Sequence, residues 1–99
     1  MAVMLIARFP GDVEQLMQAY DRAHRLIMEQ PGPPIGELRH HCAIGDGALY
    51  LIGVWESEER LRTRFESREF EETLTSAGFP SPKTAELTVL QLHATEPPL

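Results

Sequence analysis

The sequence predicts an α+β fold in the order β-α-β-β-α-β: a four-stranded antiparallel sheet with helices on one face. Three observations predict it. Leu49–Trp55 (LYLIGVW) is an apolar run rich in aromatic and branched residues, and it follows the turn Gly45-Asp46-Gly47, as the second arm of a hairpin does. Val13 to Met28 repeats apolar residues at the 3.6-residue spacing of one helix. A second helical stretch after Trp55 carries an apolar stripe that slips once, at Ser67.

Each element has its own warrant. Ala2–Phe9 (AVMLIARF) is an unbroken apolar run, hence a central strand, and Pro10-Gly11 ends it. Asp12 caps the first helix, with Gln15 three residues on as in a capping box. Its stripe is Val13, Leu16, Met17, Tyr20, Ala23/His24, Ile27 and Met28. Gln30 precedes Pro31, which disfavours further helix, and Pro31-Gly32-Pro33-Pro34 is a stiff connector. Glu37–Ile44 alternates, so Leu38, His40, Cys42 and Ile44 share one face while Glu37, Arg39, His41 and Ala43 share the other. Leu49–Trp55 is expected to be covered on both faces, because almost none of it is polar. Ser57 caps the next helix, with Glu58 and Glu59 at its positive dipole end. Leu61 and Phe65 pair at i, i+4, as do Phe70 and Leu74, but the step from Phe65 to Phe70 is out of period. Ser67 therefore caps a second piece, which Gly78 ends in a left-handed conformation before Pro80. Thr84–Ala94 is the last strand, and 96–99 a frayed tail. The arrangement is ferredoxin-like.

Composition narrows the function classes. Ninety-nine residues make one domain, 1–99. A net charge of −6 argues against nucleic acid and anionic membrane as partners, since neither offers counter-charge. One cysteine, Cys42, permits no internal disulfide and no cysteine-cluster metal site; its apolar neighbours predict a buried, inert thiol. No leader or membrane-spanning run is visible, so the expected location is the cytoplasm. The outward face of the sheet carries apolar residues from several strands. A second copy of the chain is expected to cover it, burying roughly 2,000 Å² or more in an isologous homodimer.

The strand ending in Trp55, the following Glu56-Ser57, then Phe65, Ser67 and Glu69-Phe70 resemble the antibiotic biosynthesis monooxygenase-like branch of the dimeric α/β-barrel superfamily. The resemblance spans the chain, with its specific part in Val54–Phe70. It implies a dimeric α+β barrel and a cofactor-independent oxygenase or cyclase acting on a small aromatic or polyketide-like molecule. The family tryptophan matches Trp55. The first-strand asparagine of oxygenase members has no counterpart, since the chain contains no asparagine. The axial histidine of haem-degrading members is also missing around Phe65, so neither haem nor another cofactor is expected.

Four histidines remain to be weighed. His24 lies on or beside the first helix stripe and His40 on the mixed face of the second strand. If both face the gap between sheet and helices they approach Tyr20 and Trp55, and an imidazole near neutrality passes a proton either way. His40 is then the base, with Trp55, Tyr20 and His24 orienting a small apolar or aromatic ligand. The competing reading is a non-catalytic ligand-binding or dimerisation module, each histidine buried and satisfied by one partner. An open cavity lined by His40 and Trp55 favours the first, a filled core the second. His40 and His41 point to opposite faces and cannot chelate one ion, so no metal is expected. His93 is expected at a sheet margin. Arg8 and Arg39 are expected in ion pairs with Glu37 or Glu86 at the dimer interface.

Overall fold

A computed structural model describes residues 1–31 and 35–99. The elements are β1 (Val3–Pro10), α1 (Val13–Glu29), β2 (Glu37–Gly45), β3 (Ala48–Trp55), α2 (Glu58–Phe65), α3 (Arg68–Ser76), a 3₁₀ turn (Pro82–Thr84) and β4 (Glu86–Gln91). The four strands are antiparallel in the order β2-β3-β1-β4, with the helices on one face, so the predicted fold class is the observed one. Of the Pro31–Pro34 connector, 32–34 lie outside the described residues.

Strand periodicity sorts the faces. On β1, Val3, Leu5, Ala7 and Phe9 are buried toward the helices, while Met4, Ile6 and Arg8 alternate outward. On β3, Leu49, Leu51 and Trp55 are buried with them. The expectation that β3 is covered on both faces holds only for the inner face and Val54. Tyr50 and Ile52, on the outer side, are only partly buried, because helices lie on one face alone.

The helices start and stop where their side chains dictate. Asp12 accepts from Gln15 N at 2.9 Å, and α1 buries Leu16, Ala19 and Ala23 against the sheet. Met28, assigned to the stripe, is 69% exposed and lies at the margin of the helix–sheet cavity. Ser57 and Ser67 cap α2 and α3, accepting from Arg60 N at 3.2 Å and Phe70 N at 3.3 Å. The break at Ser67 lets Leu61, Phe70 and Leu74 all reach one core despite the out-of-period spacing. Gly78 sits at φ +85°; its N–H donates to Thr75 O at 3.0 Å, and Phe79 N–H donates to Leu74 O at 3.0 Å, a Schellman closure. Phe79 then packs edge-on against Phe9, ring centroids 4.8 Å apart.

The last strand is shorter than the predicted Thr84–Ala94. Ser81 caps the 3₁₀ turn that absorbs Thr84. At the far end Gln91 pairs with Val3 and Leu92 N bonds to Ala2 O at 3.0 Å, after which β1 offers no further partner. His93 lies beyond the strand and is exposed. Arg8 pairs with Glu86 at 2.9 Å within the chain. Arg39 pairs with neither acid. It donates to Thr95 Oγ1 at 3.0 Å and to Pro97 O at 2.6 Å, tying the C-terminal segment to β2. Among the described residues no helix is long and apolar enough to cross a membrane.

Candidate functional site

A cavity of about 150 Å³ opens between α1, the α2–α3 pair and the inner face of β1, β2 and β3. Its walls are apolar: Leu5, Leu51, Ile27, Phe65, Phe70 and Leu74. Tyr20, His24, Glu37, His40, Trp55 and Arg64 bring the polar atoms to it. The four residues singled out from the sequence, His40, Trp55, Tyr20 and His24, thus line one cavity.

His40 is the hinge of a three-residue chain. Its Nδ1 lies 3.1 Å from Glu37 Oε2 and its Nε2 lies 2.8 Å from Tyr20 Oη. A carboxylate only accepts, so His40 Nδ1 carries the hydrogen toward Glu37 and Nε2 keeps its lone pair, which accepts from the Tyr20 hydroxyl. The rings of His24, Tyr20 and His40 form a near-parallel triangle. Centroids lie 5.6 Å apart for Tyr20–His24, 6.1 Å for Tyr20–His40 and 6.5 Å for His24–His40.

Strict alternation had set Glu37 on the face opposite His40. The structure corrects this. A β-bulge between Glu37 and Arg39 inserts an extra residue at Leu38, so Glu37 pairs with Trp55 and His40 with Gly53 on the same, inner side. Neither histidine is the buried, singly satisfied residue of the competing reading: His24 is exposed at the rim, and the His40 side chain keeps 34% of its accessibility.

Trp55 is 1% exposed and its Nε1 has no hydrogen-bond partner among the described residues. An unpaired buried donor is unfavourable by roughly 1–3 kcal/mol, so it is a natural place for a ligand oxygen. Gly53 keeps that place open. A Cβ built on Gly53 would sit 3.0 Å from Glu37 Oε2, 3.1 Å from Trp55 Nε1 and 3.3 Å from Arg39 O. The glycine therefore lets the carboxylate and the indole N–H approach one spot on the sheet.

Burial, with the negative charge of Glu37 and Asp21 nearby, pushes the Tyr20 hydroxyl up to about 12. Tyr20 is therefore a neutral donor at any ordinary pH. Cys42 departs from expectation: it is exposed, on the edge strand β2. Its side chain still lines a shallow groove against Met17 and Asp21 of α1, and desolvation there pushes the thiol up to about 11. Exposed or not, it is no nucleophile near neutrality. Arg64, on the last turn of α2, is half-buried, and desolvation lowers its guanidinium from the ordinary value.

Sequence reasoning missed Glu37, Gly53 and Arg64. The Glu37–His40 spacing of three residues would have pointed to the site only if the bulge had been known. Among the described residues no group of three or more metal-ligating side chains comes together.

No protein-family model matches this chain, and no curated protein matches it in sequence. Solved structures do match in shape. The chain is similar to SnoaB, a cofactor-independent oxygenase from Streptomyces nogalater, at 20% identity over 97% of each chain, with TM-score 0.64. It is similar to a monooxygenase from the gene ActVA-Orf6 of Streptomyces coelicolor, solved with nanaomycin D, at 22% identity over 99% of this chain and 93% of that one, with TM-score 0.61. It is equally similar to NE2512 of Nitrosomonas europaea, a protein of unknown function, at 13% identity over 99% and 95%, with TM-score 0.67. At such identities the likeness is one of fold: structures of the antibiotic biosynthesis monooxygenase kind are its neighbours in shape.

Proposed function

We propose that this chain is a cofactor-independent oxygenase acting on a small aromatic or polyketide-like phenol by proton abstraction. The observation that carries the reading is the Glu37–His40–Tyr20 chain at the mouth of an apolar cavity with an orphaned indole N–H at its floor. The fold neighbours, two of them described as oxygenases, support it.

The chemistry follows from the geometry. His40 Nε2 is the base, taking a phenolic proton directly or through the Tyr20 hydroxyl, and Glu37 stabilises the imidazolium that results. Trp55 Nε1–H donates to the oxygen on which negative charge develops, inside a low-dielectric wall that strengthens the bond. His24 and Tyr20 stack beside the ring and orient it. The electron-rich carbanion form of the substrate then reacts with dioxygen. Dioxygen adds at a ring C–H ortho or para to the oxygen, and the resulting dienone hydroperoxide collapses by losing water, so that the phenol and O₂ become a quinone and H₂O. The chain itself supplies no electrons.

The working unit in this reading is a homodimer joined through the sheet face that carries Met4, Ile6, Ile52 and Leu90, and its place is the cytoplasm. Leu90 is 49% exposed and no helix covers that face, which supports the pairing.

Oxygen consumption with a panel of single-ring phenols and hydroquinones tests the activity. His40→Ala should slow uptake by roughly 10²–10⁴-fold, the usual contribution of a positioned base. Equal rates for parent and variant would remove His40 as base. Ligand binding without any oxygen uptake by the parent would make the protein a carrier instead.

A further inference from the structure

We propose that Arg64 is the anchor for a substrate carboxylate, so that the cavity takes a single-ring hydroxylated aromatic monocarboxylate rather than a neutral phenol. This deepens the function proposed above and rests on that reading for the role of the ring hydroxyl, but not for the binding itself.

The arginines of the chain fall into two groups. Arg8, Arg22, Arg39, Arg62 and Arg68 each donate to a carboxylate, a hydroxyl or a carbonyl within the chain. Arg25, Arg60 and Arg64 donate side-chain hydrogen bonds to none among the described residues, and of these three Arg64 is the one lining the cavity. Its guanidinium lies over the Phe70 ring, 4.2 Å from the centroid, which holds the fork in place without using its N–H groups. The cavity's other charged group, Glu37, is engaged by His40 at 3.1 Å. Burial disfavours the Arg64 cation, and the charge of Glu37 offsets that only in part. A bidentate carboxylate at the rim would relieve that penalty and match the planar fork.

Volume limits the rest of the ligand. An apolar cavity of about 150 Å³ holds roughly one benzene ring. A ring seated between Phe65, Phe70 and Leu74 would share the cavity with Arg64, the Tyr20–His40 pair and the Trp55 indole. A hydroxyl within reach of His40 is the group it would deprotonate.

Trp55 is the only tryptophan, and it lines the cavity, so its fluorescence reports occupancy without any turnover. The probes are 4-hydroxybenzoate and 4-hydroxybenzamide, nearly equal in shape and differing in charge. The parent should bind the acid about tenfold or more tightly than the amide, as expected for a hydrogen bond to a charged group. Arg64→Gln should bring the two affinities together, and Arg64→Lys should keep part of the preference. Equal affinities in the parent, no binding of either probe, or an undiminished acid preference in Arg64→Gln would overturn the proposal. The parent's acid-to-amide ratio decides even if the variant fails to fold. Because the readout is binding, absence of oxygen uptake would sink the oxygenase reading and leave this one standing.

Discussion

Tyr20 holds the most informative proton in the molecule. Its hydroxyl is raised to about 12 in the folded chain against about 10 when unfolded. The folded state therefore keeps this proton where the unfolded state has lost it. The stabilisation is fully present below pH 10 and falls as pH rises from about 10 to about 12. Denaturant midpoints measured across that window should decline in the parent, and the decline should be smaller in Tyr20→Phe. The same substitution removes the donor to His40 Nε2, leaving that lone pair to the ligand. Gly53 gives a second test at this scale. Gly53→Ala should abolish quenching of Trp55 by ring ligands, because the new methyl occupies the place where Glu37 Oε2 and Trp55 Nε1 converge. Unchanged quenching would mean that the indole N–H is not part of the binding floor.

Two capped helical pieces do what one straight helix could not. The stripe of α2 and α3 is out of period between Phe65 and Phe70, and the Ser67 cap re-phases it so that both rings face the cavity, centroids 5.6 Å apart. Ser67→Ala should lower stability by about 1 kcal/mol, the usual worth of an N-cap hydroxyl. Gly78→Ala should lose about 1–2 kcal/mol, since a Cβ at φ +85° is strained whatever space surrounds it. Chemical denaturation checks both, and a midpoint unchanged in either variant would show that the cap is dispensable. The caps, the slip and the stop were all legible in the sequence, because each depends on residues within one or two turns of one another. The bulge in β2 was not. Nothing in Glu37-Leu38-Arg39 marks where an edge strand gains its extra residue, since that is decided by pairing with Val54 and Trp55.

At the scale of the whole molecule, the sheet has one face under helices and one face open. The open face carries Met4, Ile6, Ile52 and Leu90, with Arg8 and Glu86 paired beside them. If two copies meet there, Ile52→Glu should turn a dimer into a monomer at micromolar concentration, by placing an unpaired charge in an apolar seam. Sedimentation equilibrium of parent and variant is the check. A parent that sediments as a single chain would remove the dimer and leave the cavity, which one chain builds alone.

By itself the sequence determined the order of elements and the helix caps, and it offered Tyr20, His24, His40 and Trp55 as residues that could meet in one gap. These follow from periods of two and 3.6 residues and from caps that act locally. Only the tertiary structure decided that Glu37 belongs beside His40, that Arg64 reaches the cavity and that Cys42 lies exposed on an edge. Those facts hang on strand register and on which strand ends up at the edge of the sheet. A one-residue bulge moves a side chain from one face to the other without changing composition or pattern.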